Sequence, residues 1–272
     1  MQETVGQTPL PVAGTGAPSA ILRKARKSVK YALARLLRGR LEYVLFYWRL
    51  QVMRVKTLLG RPYAALYGMD RKLEHYIGFK GGTFIEAGAN DGLAQSNTYF
   101  LEKKFGWTGL LVEPVPKYFR MCSRARNART VNCALGPVEK EGTELEILTG
   151  GLMSVPTAVQ ERFLHGRSVR DHAAFGAREF GSQGPQIVRT PIRALSTLLD
   201  EAGIQKIDFF SLDVEGFELE ALQGLDLSRH RPTFMLIETE RPQEVANFLG
   251  SNYVLVDSLS HHDFLFRSTE PR

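Results

Sequence analysis

The chain has 272 residues, of which 43% are hydrophobic, so one domain with an appendage can bury a sizeable core. Its two cysteines, Cys122 and Cys133, are too few for a disulfide framework and lack zinc-site spacing, which favours a reducing compartment. No run approaches the ~18 apolar residues of a membrane span, and no secretory signal pattern is visible. The composition therefore predicts a cytoplasmic protein.

Positive charge is concentrated in the first part of the chain. Residues 1–56 hold 11 Lys and Arg against two acids, whereas residues 57–272 have a net charge of −3. Residues 1–20 are rich in Pro, Gly, Thr and Ala and are expected to be disordered. Residues 21–60 are predicted to form a basic amphipathic helical arm, bent or divided at Gly39. Its apolar residues at helical spacing are Leu22, Ala25, Val29, Leu33, Leu36, Leu41, Val44, Trp48, Val52, Val55 and Leu59.

The helical arm has three interpretations. It packs on the rest of the chain or on a second copy, or it lies on an anionic membrane with Tyr47 and Trp48 at headgroup level. Nucleic acid is the least favoured partner, because the remainder of the chain is net acidic. We expect residues 21–59 to associate with an anionic membrane or a partner surface, to be dispensable for cofactor binding, and so to hold the protein peripherally on the inner face of a membrane.

Residues 61–272 are predicted to form one α/β domain. Apolar runs alternate there with helical segments, which indicates a parallel sheet covered on both faces. The last two runs are separated only by "LSHH", enough for a tight antiparallel hairpin. The predicted strands are "TFIEAG", "GLLVEP", "RTVNCAL", "IDFFSLDV", "TFMLIETE", "YVLVDS" and "DFLFRS".

An insertion at about residues 137–190 separates the third predicted strand from the fourth. Its segments "TELEIL" and "QIVRTP" can pair as an extra ribbon. Between them, residues 160–185 are polar and rich in Arg and Gly, and either a lid over the site or a tolerated surface loop fits this pattern.

Two acids end the first two predicted strands, where an open α/β sheet binds its ligands. Glu86 opens the turn "EAGANDG", and Glu113 follows 21 residues after Gly92, where an acid binds ribose hydroxyls. Asn90 replaces the middle glycine of the dinucleotide fingerprint. Acceptor groups there suit the ammonium and sulfonium charges of S-adenosylmethionine, so the turn favours that cofactor over NAD.

Further polar residues follow the later strands. Asp213 and Glu215 end the fourth strand, Glu238 ends the fifth, and His261 and His262 lie in the hairpin turn. All five are candidates for a catalytic base, although acids also cap helices and turn histidines are often surface residues. No close-spaced ligand motif supports a metal bridging the acids, so no metal is predicted.

The segments "FIEAGANDGLAQSNTYFLEKKFGWTGLLVEP", "VNCALG" and "TLLDEAGIQKIDFFSLDVEGFELEALQGLD" resemble the FkbM family of S-adenosylmethionine-dependent methyltransferases, most of whose members act on hydroxyl oxygens. The resemblance covers roughly residues 80–267. It implies a Rossmann-like, seven-stranded class I methyltransferase sheet with strand order 3-2-1-4-5-7-6 and the last strand antiparallel.

The resemblance also implies roles for individual residues. Asn97 would cap the pocket, Glu113 with Pro114 beside it would bind the ribose, and Asp213 would lie between the cofactor amine and the substrate. Asn132, Cys133 and Ala134 would flank adenine, Glu86 and Gly88 would line the methionine end, and Asn90, Asp91 and Gly92 would shape the turn.

Together these patterns predict an S-adenosylmethionine-dependent O-methyltransferase acting on a hydroxyl of a sugar, a glycan or another polyhydroxylated metabolite. Two alternatives remain open from the sequence. One is an NAD-dependent oxidoreductase, and the other is a non-catalytic, membrane-associated binding module with a methyltransferase-like fold. The acceptor itself has no recognisable code in the chain.

Overall fold

The computed structural model describes residues 40–164, 166–180 and 184–270. The predicted tail and the first half of the arm, including Gly39, lie outside these ranges. Helix α1 occupies residues 40–58. The further helices are α2 (Met69–Ile77), α3 (Tyr99–Phe105), α4 (Pro116–Ala125), α5 (Val169–Glu179), α6 (Leu195–Ala202), α7 (Glu218–Gln223) and α8 (Pro242–Leu249). The strands are β1 (Thr83–Ala87), β2 (Thr108–Val112), β3 (Arg129–Val131), β4 (Ala134–Leu135), β5 (Glu144–Leu148), β6 (Val155–Pro156), β7 (Ile187–Arg193), β8 (Phe209–Leu212), β9 (Phe234–Glu238), β10 (Tyr253–Ser258) and β11 (Asp263–Ser268).

The main sheet has seven strands in the order β10-β11-β9-β8-β1-β2-β3. Strand β11 is antiparallel to both of its neighbours, and the other pairs are parallel. Numbered along the chain, this order is the expected 3-2-1-4-5-7-6. The sheet differs from the expectation in detail, because the predicted strand "RTVNCAL" is divided into β3 and β4, and β4 belongs to a second sheet.

The second sheet, in the order β4-β7-β5-β6, is built largely from the insertion. Strands β5 and β7 pair antiparallel, which confirms the predicted ribbon. The segment predicted as a lid or loop contains helix α5, which Ser168 caps by accepting a hydrogen bond from the backbone N–H of Asp171. Residues 165 and 181–183 of that segment are outside the described ranges.

Side chains of the main sheet alternate between two apolar layers. Ile85 of β1 packs in a cluster that includes residues of α6, α7 and α8, whereas Phe84 packs in a cluster with residues of α2, α3 and α4. Both side chains are fully buried, and burial of a side chain of this size contributes roughly 1.5–3 kcal/mol. Because helices cover both faces, only the strand ends remain open for a ligand.

Helix α1 packs on the domain through Phe46, Leu50 and Met53, which are buried in a third cluster. The packed face is not the stripe that the helical spacing singled out. Leu41, Val44, Trp48, Val55 and Leu59 of that stripe are exposed instead. Among the described residues, no helix is both long and apolar enough to cross a bilayer.

Candidate functional site

A cavity of about 390 Å³ opens at the carboxyl ends of the central strands. It lies beside β1, from which the chain proceeds to β2 on one side and, later, to β8 on the other. Ligands of open α/β sheets bind at this reversal of strand order. The cavity volume is within the range of small-molecule sites.

The turn after β1 is held tightly against β2. Gly88 and Ala89 both donate their backbone N–H to the carbonyl oxygen of Val112, at 3.0 and 3.1 Å. Asn90 has a φ of 47° and donates its N–H to Oε2 of Glu113 at 2.7 Å. The two sequence-predicted elements, the turn and the second acid, therefore contact each other directly.

Asp91 and Gly92 shape the turn from outside the cavity. Oδ1 of Asp91 accepts hydrogen bonds from the backbone N–H groups of Leu93 and Ala94, at 2.9 and 2.7 Å. Gly92 has a φ of 76°, and a β-carbon there would meet the side chain of Arg126 at 2.8 Å. Neither Asp91 nor Gly92 is among the described residues that line the cavity.

Glu113 lines the cavity with Pro114 and is almost fully buried. Burial raises the pKa of its carboxyl to about 7, against the opposing effect of backbone hydrogen bonds from Val115 and Asn90. Nδ2 of Asn132 donates to the carbonyl oxygens of Glu113 and Pro114, at 2.8 and 3.0 Å. Asn132 thus holds the backbone of Glu113 and Pro114 in place without lining the cavity itself. Cys133 and Ala134, which follow it, are among the lining residues.

Glu86 anchors the "SNT" segment. Its carboxylate accepts hydrogen bonds from Oγ of Ser96 at 2.9 Å, the N–H of Asn97 at 3.0 Å and Oγ1 of Thr98 at 2.6 Å. Nη1 of Arg126 lies 3.3 Å from Oε2 of Glu86 and pairs with the carboxylate. Glu86 therefore reaches the cavity as part of a buried polar network that fixes its wall.

Asn97 lines the cavity and carries a buried amide group. Its Nδ2 donates to Oγ of Ser211 at 3.1 Å, which fixes the orientation of the amide. Its Oδ1 is buried and has no hydrogen-bond partner in the described part of the chain. A buried acceptor of this kind costs free energy unless a ligand donates to it.

Three acids form the other end of the cavity. Asp213 and Glu238 interact with each other through their carboxyl groups. Burial, followed by repulsion from Glu215, raises the pKa of Asp213 well above its usual range. Burial and repulsion from Asp213 raise the pKa of Glu238. Both carboxyl groups therefore hold a proton more readily than exposed acids do.

The third acid is held by a residue from the insertion. Nε2 of His172, on α5, lies 2.8 Å from Oε2 of Glu215. Glu215 has a φ of 55°, a left-handed conformation that is uncommon for a residue with a side chain and that clusters at functional sites. Sequence reasoning missed His172, and the one signal for it was the position of its segment between the third and fourth predicted strands.

His261 and His262 line the cavity from the hairpin turn, as expected. Their facing ring nitrogens are 2.7 Å apart, and Nε2 of His262 lies 3.6 Å from Oε1 of Glu238 and 3.4 Å from Oδ2 of Asp263. Glu238, His262 and Asp263 each offer one ligand atom, all within 4.8 Å of one another. These three residues could hold a divalent cation, a group that the ligand spacing in the sequence did not reveal.

The charge of the lining is one-sided. Its described residues include five carboxyl groups and three histidines but no Lys or Arg. Aromatic residues that the sequence did not single out, Tyr67, Phe175 and Phe180, complete the wall. Such a lining attracts a cation and offers no positive partner to a pyrophosphate.

Comparisons with known proteins agree with the sequence resemblance. A methyltransferase FkbM domain matches residues 86–266. The crystal structure of methyltransferase FkbM from Methylobacillus flagellatus KT is similar at 14% sequence identity with a TM-score of 0.42, and the match covers 69% of this chain and 43% of that one. No curated protein matches the sequence. This domain match covers more than half of the chain's residues. The chain therefore belongs to the FkbM methyltransferase family.

Proposed function

We propose that this chain transfers a methyl group from S-adenosylmethionine to a hydroxyl oxygen of a sugar, a glycan or another polyhydroxylated metabolite. Membership of the FkbM family supports methyl transfer. The choice of methyl donor rests on one observation, the cavity lining that combines five carboxyl groups with no Lys or Arg among its described residues. A dinucleotide would bring a pyrophosphate into that lining without a positive partner.

The residues present fit the methyl donor. Glu113 lines the cavity and is the proposed acceptor for ribose hydroxyls, and the unpartnered Oδ1 of Asn97 is the proposed acceptor for an ammonium group. Cys133 and Ala134 offer a small, apolar wall for adenine. When bound, S-adenosylmethionine supplies a methyl group on a sulfonium, whose leaving group is already good.

A hydroxyl acceptor explains the second group of acids. An alcohol gives up its proton poorly at neutral pH, so its oxygen needs a nearby base. Asp213 and Glu238 are the proposed acceptors of the hydroxyl proton, because their raised pKa values favour the protonated form once it is transferred. The acids also suit several hydroxyl groups at once, because each ionised carboxylate accepts more than one hydrogen bond.

The mouth of the cavity supports a sugar-like acceptor. Tyr67 lines the cavity and is 60% exposed, so its ring is the proposed stacking partner for the apolar side of a sugar ring. His261 lies next to it, with ring centroids 6.5 Å apart. The mouth thus combines an aromatic surface with polar groups.

Calorimetry with S-adenosylhomocysteine and with NAD tests the donor. We expect heat of binding with S-adenosylhomocysteine and none with NAD. Asn97→Ala, which removes the unpartnered acceptor, is expected to weaken binding, whereas Asn127→Ala, at an exposed position outside the cavity, serves as the matched control. Binding of NAD alone would overturn the proposal in favour of an oxidoreductase.

Turnover tests the acceptor. Glycan and metabolite extracts are incubated with the protein and a labelled methyl donor, and products are identified by mass spectrometry. Label in an alkali-stable ether linkage is expected, whereas label on nitrogen or carboxyl groups would contradict O-methylation of a hydroxyl. Parallel reactions with EDTA and with added Mg²⁺ report whether Glu238, His262 and Asp263 take up a cation during turnover.

A further inference from the structure

Helix α1 carries two apolar faces. At 3.6 residues per turn, Phe46, Leu50 and Met53 fall on one side of the helix, and all three are buried on the domain. Five apolar residues fall on the opposite side and are between 49% and 71% exposed. We name this set the outer stripe; it comprises Leu41, Val44, Trp48 and Val55 of α1 and Leu59, the residue directly after the helix. The fold uses the first face and leaves the outer stripe unexplained.

Positive charge borders the outer stripe. By the same helical geometry, Arg54 lies on one side of it and Lys56 on the other, and both side chains are exposed. Arg40 and Arg61, at or near the two ends of the helix, are also exposed. Of these residues, Arg40, Arg54 and Lys56 belong to residues 1–56, which carry a net charge of +9. The surface around the outer stripe therefore complements an anionic partner.

The outer stripe also has the residue types of a lipid interface. Trp48 is at its centre, and Tyr47 beside it is exposed. Tyrosine and tryptophan favour the headgroup level of a bilayer, where an apolar ring meets water at one edge. An apolar face with basic borders is typical of a helix that lies in the plane of an anionic membrane.

We propose that the outer stripe of α1 docks on an anionic lipid bilayer and that α1 lies parallel to its surface. A second copy of the chain is the weaker occupant, because pairing two outer stripes would bring two sets of Arg and Lys together. The buried face of α1 stays packed on the domain, so the helix binds the surface without inserting across it. This docking is independent of the proposed methyl transfer.

Vesicle flotation of the full chain tests the docking. Vesicles of phosphatidylcholine alone are compared with vesicles that contain about 30% phosphatidylglycerol. We expect the protein to float with the anionic vesicles at about 0.05 M NaCl, and to be largely released at about 0.5 M NaCl because salt screens the charges. Neutral vesicles are expected to bind it weakly.

Two triple variants separate the outer stripe from general surface hydrophobicity. Val44→Gln, Trp48→Gln and Val55→Gln together should reduce the partition coefficient on anionic vesicles by about tenfold or more. The matched control combines Ile187→Gln, Val254→Gln and Leu255→Gln, which replace exposed apolar residues away from α1 and should leave partitioning unchanged. Circular dichroism and S-adenosylhomocysteine binding report whether each variant is folded.

The outcomes against the proposal are distinct. Parent protein that stays in solution with anionic vesicles at low salt would overturn it, and so would an outer-stripe variant that floats as well as the parent. Sedimentation equilibrium of the parent and the outer-stripe variant examines the second copy. A parent dimer that the outer-stripe variant loses, without vesicle binding by either protein, would assign the outer stripe to self-association instead.

Discussion

Gly88 and Asp213 approach each other so closely that a β-carbon on Gly88 would lie 1.8 Å from the carbonyl oxygen of Asp213. Gly88 follows β1 and Asp213 follows β8, and these strands are adjacent and parallel. Gly88 also has a φ of 82°, which side-chain-bearing residues rarely adopt. Two independent constraints thus require glycine where the turn joins the acidic end of the cavity.

Gly88→Ala should disrupt this corner of the site. The added methyl group overlaps backbone atoms of Asp213, so either the turn or the end of β8 must shift. We expect a clear fall in melting temperature and a loss of S-adenosylhomocysteine affinity of about tenfold or more, because a shift of ~1 Å misplaces the ligand contacts. Thermal unfolding and calorimetry measure the two effects.

Gly106→Ala is the matched control for Gly88→Ala. Gly106 has a φ of 67°, but a β-carbon there meets no atom within 4 Å. This substitution should therefore cost only the conformational penalty of a left-handed residue, roughly 1 kcal/mol, and leave ligand affinity unchanged. Equal effects of the two substitutions would show that the approach to Asp213 is not restrictive.

Binding of S-adenosylhomocysteine should tighten as pH rises through about 7. Burial raises the pKa of Glu113 to about 7, so its carboxyl is increasingly protonated below that pH and ionised above it. The ionised form accepts ribose hydroxyls more strongly, since one acceptor oxygen is lost on protonation. The dissociation constant should fall roughly tenfold between about pH 6 and pH 8, as measured by calorimetry.

Glu113→Gln removes this titration. The variant should bind more weakly and show a flat profile between about pH 6 and pH 8. Glu139→Gln, at an exposed position outside the cavity, should keep the parental profile. Glu113→Ala should weaken binding by roughly 1–3 kcal/mol through the lost charge-assisted hydrogen bonds. Unchanged affinity in Glu113→Ala would remove the ribose assignment.

The parts of the fold that the sequence predicted share a local cause. Glu86, Glu113 and Glu238 each end an apolar run, and a strand buried on both faces has such a run because every side chain points into a layer. The run also shows where the strand ends, and hence which acids reach the cavity. For this reason the sequence could predict the strands of the main sheet and the acids at their carboxyl ends.

The parts that could not be read depend on contacts distant in the chain. Arg126 reaches Glu86 across 40 residues, and His172 reaches Glu215 across 43. Nothing in the residues flanking Arg126 or His172 marks the partner. In α1, both faces are apolar, so periodicity alone could not show that Phe46 rather than Trp48 faces the domain.

Arg126→Ala should destabilise the domain strongly. The guanidinium is fully buried and contacts Glu86 at 3.3 Å and Glu102 at 2.9 Å. Its removal leaves the buried Glu86 without its cation and leaves Glu102 with Lys103 alone. Breaking a buried pair in this way costs about 3–5 kcal/mol. Urea unfolding measures the change, and Arg124→Ala, at an exposed position two residues earlier, should stay within about 0.5 kcal/mol of the parent. Comparable stability of the two variants would mean that the network is not required for folding.

On the proposed function, His172 positions Glu215, so its substitution should lower turnover without weakening cofactor binding. Nε2 of His172 lies 2.8 Å from Oε2 of Glu215, whose left-handed backbone needs support from its neighbours. His172→Ala frees that carboxylate, and we expect kcat to fall by roughly tenfold or more while S-adenosylhomocysteine affinity stays within about twofold. His172→Gln retains a side-chain N–H donor and should recover part of the loss.

His230→Ala is the matched control. It removes a histidine that is equally buried but outside the cavity, so it should reduce stability and leave kcat unchanged. A fall in kcat that is the same for His172→Gln, His172→Ala and His230→Ala would indicate a general loss of folded protein and contradict the positioning role.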